Sequence, residues 1–121
     1  MADEITIRQK LNIVKGNLKF SYDTGEYKKT MVGSGGPTPG FVTVTTTERT
    51  IDFTELGDNG EVLLINLDTT NYVRWGFSTG VYGGRIEPGH TAGPFQLEPS
   101  ASIFLIANAA DCDMYVYGFE K

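Results

Sequence analysis

Glu61-Val62-Leu63-Leu64-Ile65-Asn66-Leu67-Asp68-Thr69-Thr70-Asn71-Tyr72-Val73-Arg74-Trp75-Gly76-Phe77 is the stretch that decides the fold. From Val62 to Leu67 every position but Asn66 is apolar, so both faces of a strand there need cover, as in a central core strand. Asp68-Thr69-Thr70-Asn71 then supplies short side chains that bond back to their own backbone, which favours a tight turn. Beyond it Val73, Trp75 and Phe77 share one parity, with Arg74 and Gly76 on the other. The pattern predicts a hairpin that carries the only Trp of the chain into the core. It contains no chemistry.

Downstream, Gly80 to Gly84 is too glycine-rich for a central strand, although Val81 and Tyr82 can pair at an edge. Glu87-Pro88-Gly89-His90 suits a type II turn, with proline pre-set and glycine supplying positive φ. Gly93-Pro94 opens a short segment, Phe95-Gln96-Leu97, that Pro99 ends. Ile103-Phe104-Leu105-Ile106 is the second continuous apolar run and is expected beside the central strand. After a turn over 108–113, Met114–Phe119 forms the last strand, with Tyr115, Tyr117 and Phe119 on one face.

Upstream, Ile5, Ile7, Leu11 and Ile13 share a parity against Thr6, Arg8, Lys10 and Asn12, which reads as one long strand with a wet face. Gly16-Asn17 breaks it. Leu18, Phe20 and Tyr22 alternate again, and Asp23-Thr24-Gly25-Glu26 is expected to close a hairpin onto the segment 27–32. Gly33-Ser34-Gly35-Gly36-Pro37-Thr38-Pro39-Gly40 holds four glycines and two prolines in eight residues, which cannot sustain a ladder or a helix. A flexible surface loop is expected there, with an arm that orders against a partner as the functional alternative. A phosphate cradle is excluded, because the lysine and Ser/Thr of a P-loop are missing. Thr43, Thr45 and Thr47 line one face of the next strand, Ile51 and Phe53 lie in a further one, and 57–60 is a turn.

About nine to eleven short strands at intervals of about 8–12 residues, with no convincing helix, point to an all-β chain. Parallel sheets need crossover helices, so pairing is expected to be mostly antiparallel. The expected fold is a two-sheet β-sandwich, with a jelly roll as one form of it and a small barrel as the alternative. The 121 residues suffice for a single β domain with one core over 1–121. Hydrophobic content of 40% against 21% charged residues is ordinary for a globular chain.

Ten basic residues against 15 acidic ones give a net charge of −5, the wrong sign for a nucleic-acid surface. The acidic N-terminus has no long apolar region of a signal peptide, and no run approaches membrane-spanning length. Synthesis in the cytoplasm, with neither nucleic acid nor membrane as partner, is the expectation.

No catalytic or metal-binding constellation stands out. His90 is the only histidine and follows a Pro-Gly turn, where an exposed loop position is expected. Cys112 is the only cysteine, so no internal disulfide forms, and its two flanking aspartates would raise the thiol pKa, the wrong direction for a nucleophile. Asp58, Asp68, Asp111 and Asp113 fall in turns without the spacing of an EF-hand, and turn formation accounts for them. No catalytic residue, metal or cofactor is assigned, and an enzyme is not expected. Tyr22, Tyr27, Tyr72, Tyr82, Tyr115 and Tyr117 offer either a sugar platform or protein-interface residues, since tyrosine suits places dry at one end and wet at the other.

Residues 61–121 resemble a group of small virion structural proteins of tailed bacteriophages. The resemblance lies in the segment 64–76, the Pro88-Gly89 turn, Pro94-Phe95-Gln96-Leu97, the apolar run at Ile103, and Ala107-Asn108-Ala109-Ala110-Asp111-Cys112 leading to a last strand with an acidic tip, Glu120. It covers about half the chain and rests on β-hairpin grammar. It implies an assembly component: a capsid decoration (cement) protein bound to the major capsid protein or other virion proteins, and a symmetric homo-oligomer such as a trimer. A tail or baseplate component and a carbohydrate-binding module are the alternatives. The interface residues expected on this reading are Tyr72, Arg74, Tyr82 and His90, with the arm Gly33, Ser34, Gly35, Gly36, Pro37, Thr38, Pro39 and Gly40.

Overall fold

The computed structural model describes residues 4–121, among which twelve strands and one turn of 3-10 helix (Thr54–Leu56) form. The chain divides into two units, the first reaching Val32 and the second running Gly33–Lys121.

The second unit is an antiparallel two-sheet sandwich. One sheet has the order β10 (Thr91–Gln96), β7 (Asn59–Asn66), β12 (Cys112–Glu120), β5 (Thr38–Val44). The other has the order β6 (Arg49–Ile51), β11 (Ile103–Ala107), β8 (Val73–Gly76), β9 (Gly84–Ile86). The pairs nest inside one another: β5 with β12, β6 with β11, β7 with β10 and β8 with β9. A long hairpin rolled up in this way has jelly-roll wiring.

Period-2 patterning explains which residues the sandwich encloses. Val62, Leu64 and Asn66 of β7, Cys112, Met114 and Val116 of β12, and Ile103, Leu105 and Ala107 of β11 are all buried. Each fully buried aliphatic side chain contributes about 1.5–3 kcal/mol relative to exposure. Trp75 packs against this core at its margin, stacked on Phe95 at 5.4 Å between ring centroids. Phe77 meets both rings edge-on but is itself exposed.

Three pairings differ from the sequence reading. The turn at Asp68–Asn71 does not close a hairpin, because β7 and β8 belong to opposite sheets. Nor does the Ile103 run lie beside β7; β11 is central in the other sheet, between β6 and β8. Both runs are apolar because each is covered on the core side and partly on the other, a property that patterning shows without revealing which sheet a strand joins.

The glycine-proline segment is the third. Thr38, Pro39 and Gly40 pair with Gly118, Tyr117 and Val116, so they begin β5 and do not form a loop. β5 is an edge strand, where a proline without an N–H is tolerated. Residues 33–35 are bound to the C-terminus: the Ser34 and Gly35 N–H groups donate to Glu120 Oε1 at 3.2 and 2.9 Å, and Gly33 N–H donates to the Lys121 carbonyl at 3.0 Å. A Cβ at Gly33 would collide with the Glu120 carboxylate, and one at Gly36 would lie 2.7 Å from the Gly118 carbonyl oxygen. Close approach, not looseness, accounts for these glycines.

The first unit also departs from expectation. The segment 5–13 is not one strand but two, β1 (Ile5–Ile7) and β2 (Lys10–Lys15). The break is fixed by Arg8, whose guanidinium bonds both oxygens of Asp23 (3.1 and 2.6 Å), and by Gln9 N–H donating to Thr24 Oγ1. β3 (Leu18–Asp23) turns back on β2 across Gly16-Asn17, and β4 (Tyr27–Lys29) pairs with β1. The hairpin expected between Leu18 and Val32 across Asp23–Glu26 is therefore absent.

A candidate protein-binding surface

Arg74 and Arg85 stand opposite each other on β8 and β9, on the outer face of their sheet. Their neighbours in sequence explain the orientation: Val73 and Ile86 are buried, so the alternate positions point outward. The Arg85 guanidinium lies over the Tyr72 ring at 3.6 Å, and Arg74 lies over Tyr82 at 5.2 Å. Together the four side chains form a row of two cations flanked by two rings.

Local structure holds each tyrosine in place. Tyr72 N–H donates to Asn108 Oδ1 at 2.9 Å, and the Tyr72 carbonyl accepts the Asn108 N–H at 3.1 Å. Tyr82 arrives on the loop after Phe77, which folds back so closely that a Cβ at Gly76 would collide with the Val81 carbonyl. Glu48 fastens that loop by accepting from the Tyr82 hydroxyl and, at 2.8 Å, from Gly80 N–H. Those two donors hold the Glu48 carboxyl below the usual carboxylate range, and the same bond to Glu48 pushes the Tyr82 phenol upward.

Two like charges directly opposite on a sheet are unfavourable. Here the cost is offset by the rings, each cation–ring contact contributing about 0.5–1 kcal/mol at an exposed site. The Arg85–Glu87 ion pair at 2.6 Å offsets it further. Residues 33–121 hold only four Lys or Arg, so placing two of them face to face concentrates the unit's positive charge at one spot.

Of the residues singled out by sequence, Tyr72, Arg74 and Tyr82 are brought together. His90 is exposed on the turn after β9, where its backbone N–H donates to the Glu87 carbonyl at 3.0 Å. Gly89, at φ 74°, supplies the positive φ expected of that turn. The segment 33–40 lies along the C-terminal part of β12 and joins the row nowhere in its hydrogen bonds. Arg85 was missed, because Gly83-Gly84-Arg85-Ile86 is too short and too glycine-rich to read as a strand.

The remaining candidates separate. Tyr22 and Tyr27 belong to the first unit; within the second, Tyr72 and Tyr82 belong to the row, while Tyr115 and Tyr117 stack on each other, 5.2 Å between ring centroids, on the other sheet. Among the described residues no group of three or more His, Cys, Asp or Glu side chains is placed to hold a metal ion. Asp68 caps its own turn, accepting from Thr70 and Asn71 N–H at 2.9 and 2.6 Å, which lowers its pKa. Cys112 is fully buried; desolvation first, then Asp68, Asp111 and Asp113, push its thiol up. No helix among the described residues is long and apolar enough to cross a membrane.

Comparison with known proteins finds no matching family model, no matching curated protein and no matching solved structure.

Proposed function

We propose that the chain is a non-enzymatic structural protein of a tailed-phage virion, a decoration protein that sits on the capsid exterior and bridges neighbouring subunits. The observation that carries this reading is the row Tyr72–Arg85–Arg74–Tyr82. Tyrosine and arginine are the residues over-represented where protein interfaces concentrate their binding energy. A row of them, held by loop contacts before any partner arrives, loses little side-chain freedom on docking. The resemblance of residues 61–121 to small virion proteins supplies the biological setting, and a jelly-roll sandwich supplies a rigid base.

On this reading the arginines engage carboxylates or carbonyls of the major capsid protein, and bridging opposes the outward pressure of packaged DNA. The partner is protein; the net charge of −5 argues against nucleic acid. The protein acts as a homo-oligomer, with a trimer matching a local three-fold arrangement of capsid subunits. The test is its copy number in purified particles, by quantitative mass spectrometry against the major capsid protein. A ratio near that of the capsid protein supports decoration. A ratio far below it moves the protein to the tail or baseplate, and absence from particles discards the virion reading.

A further inference from the structure

One face of the β2–β3 hairpin is apolar and exposed. Its register puts Leu11 opposite Tyr22, Ile13 opposite Phe20 and Lys15 opposite Leu18, all on one side. Lys10, Asn12, Val14, Lys19, Ser21 and Asp23 occupy the other. Every residue of both strands is exposed, and the five apolar side chains of the first face are 39–62% exposed. Ile7 is the one buried apolar residue among residues 4–32. A two-stranded hairpin is marginal on its own in water, and an apolar face of this kind marks an interaction site.

Charge selects the occupant. Residues 1–32 hold six Lys or Arg against four Asp or Glu, whereas residues 33–121 hold four against eleven. One part of the chain is therefore basic and the other strongly acidic. Two hairpins placed apolar face to apolar face would bring together two copies of the basic part, with Lys15 on each contact face. A hairpin laid on the sandwich of another copy meets the opposite sign.

The sandwich presents a surface that fits. On the outer face of the β10-β7-β12-β5 sheet, Phe41, Tyr115 and Ile65 lie in register across three strands, with Tyr117 and Leu63 in the next row. Phe41 is 58% exposed and meets Tyr115 edge-on at 6.0 Å. Exposed Asp113 continues the row along β12, accepting from Thr43 Oγ1 at 2.9 Å.

We propose that the β2–β3 hairpin of one copy docks its Leu11, Ile13, Leu18, Phe20 and Tyr22 face onto the Phe41–Tyr115–Ile65 surface of a second copy. The two surfaces differ, so copies join either reciprocally, each hairpin on the partner's sandwich, or head to tail in a closed ring. This deepens the homo-oligomer part of the reading above, yet it concerns the chain in solution and stands or falls without a capsid.

The test is sedimentation velocity on the full chain at rising concentration. Wild type forms a closed oligomer that weakens with salt. Phe20→Asp, on the apolar face, and Phe41→Asp, on the receiving face, each abolish it. Val14→Asp, on the opposite face of the same hairpin, retains it. An equimolar mixture of Phe20→Asp and Phe41→Asp gives a heterodimer and nothing larger, because each variant keeps the half that the other lacks. Continued protection of Cys112 from a thiol reagent shows that the sandwich of each variant is folded. A monomeric wild type overturns the proposal, as does an oligomer indifferent to Phe20→Asp, equal loss in Val14→Asp, or a mixture that stays monomeric.

Discussion

The side chain of Asn66 donates at 3.0 Å to the Ile86 carbonyl, tying the end of β7 to the end of β9 in the opposite sheet. The same amide donates to the Asn71 carbonyl at 3.0 Å, and its oxygen accepts from Asp68 N–H at 3.0 Å. Asn66 is fully buried, at the inward parity of β7, where the pattern otherwise calls for an apolar residue. One polar side chain thus closes the end of the sandwich and fixes the segment that leads to Tyr72.

Replacing it exposes how much rests on those bonds. Asn66→Ala leaves buried backbone groups without partners, each costing about 1–3 kcal/mol. A loss of about 3 kcal/mol is expected in urea unfolding, with the slope unchanged. Asn66→Leu matches the apolar pattern of its strand and still destabilises. A stability equal to wild type in either variant would show that the three bonds are dispensable.

The arm at residues 33–36 is expected to be sensitive to steric change in a specific order. Gly36 has φ 122°, a conformation that side chains rarely adopt, and faces backbone of β12. Gly36→Ala therefore costs more than Gly33→Ala, whose added methyl meets the movable end of Glu120. Glu120→Ala removes the acceptor of two backbone N–H groups and is expected to cost about 1–2 kcal/mol. Hydrogen exchange at Ser34 and Gly35 reads the same contact directly: both amides exchange faster in Glu120→Ala. Unchanged exchange would contradict the tether.

Asp23 gives a pH signature for the first unit. Its hydrogen bonds from Arg8 and from Gly25 N–H hold the carboxyl at about 2, below its ordinary 3.8. A folded pKa below the unfolded one contributes stability that is full above 3.8 and lost as pH falls toward about 2. Carboxyl-carbon NMR should follow that midpoint, and Arg8→Leu should move it upward. A wild-type midpoint at the ordinary value would mean that the Arg8–Asp23 bond does not form in solution.

Arg74 and Arg85 are expected to matter little for folding. Their mutual repulsion and their ring contacts nearly cancel, so Arg74→Ala or Arg85→Ala changes thermal stability by within about 0.5 kcal/mol. A large loss in either would mark the row as a structural brace and remove the ground for an interface there.

Particular residues show what patterning could and could not convey. The continuous apolar runs at 62–67 and 103–106 and the alternation over 114–119 were legible because these strands cover a single core, whereas Cys112, expected in a turn, begins β12. The all-β sandwich followed from that, but Trp75, expected inside the core, is only partly buried at its margin. Pairing was not legible: β7 and β8 are adjacent in sequence but enter opposite sheets, a choice made by the whole roll. The glycines at 33–36 read as flexibility because composition does not show that a carboxylate and a neighbouring strand lie against them. Tyr72, Arg74 and Tyr82 could be named as exposed interface types, whereas Arg85 joined them only through strand register.

The central claim is that the Tyr72–Arg85–Arg74–Tyr82 row binds a virion protein, and a direct binding isotherm on capsids assembled without this chain tests it most directly. Wild type is expected to bind saturably, and the Arg74→Ala/Arg85→Ala double variant to bind more weakly by about 2 kcal/mol or more, roughly thirtyfold, while remaining folded. Equal binding by the folded double variant, or no binding by wild type, would contradict the account.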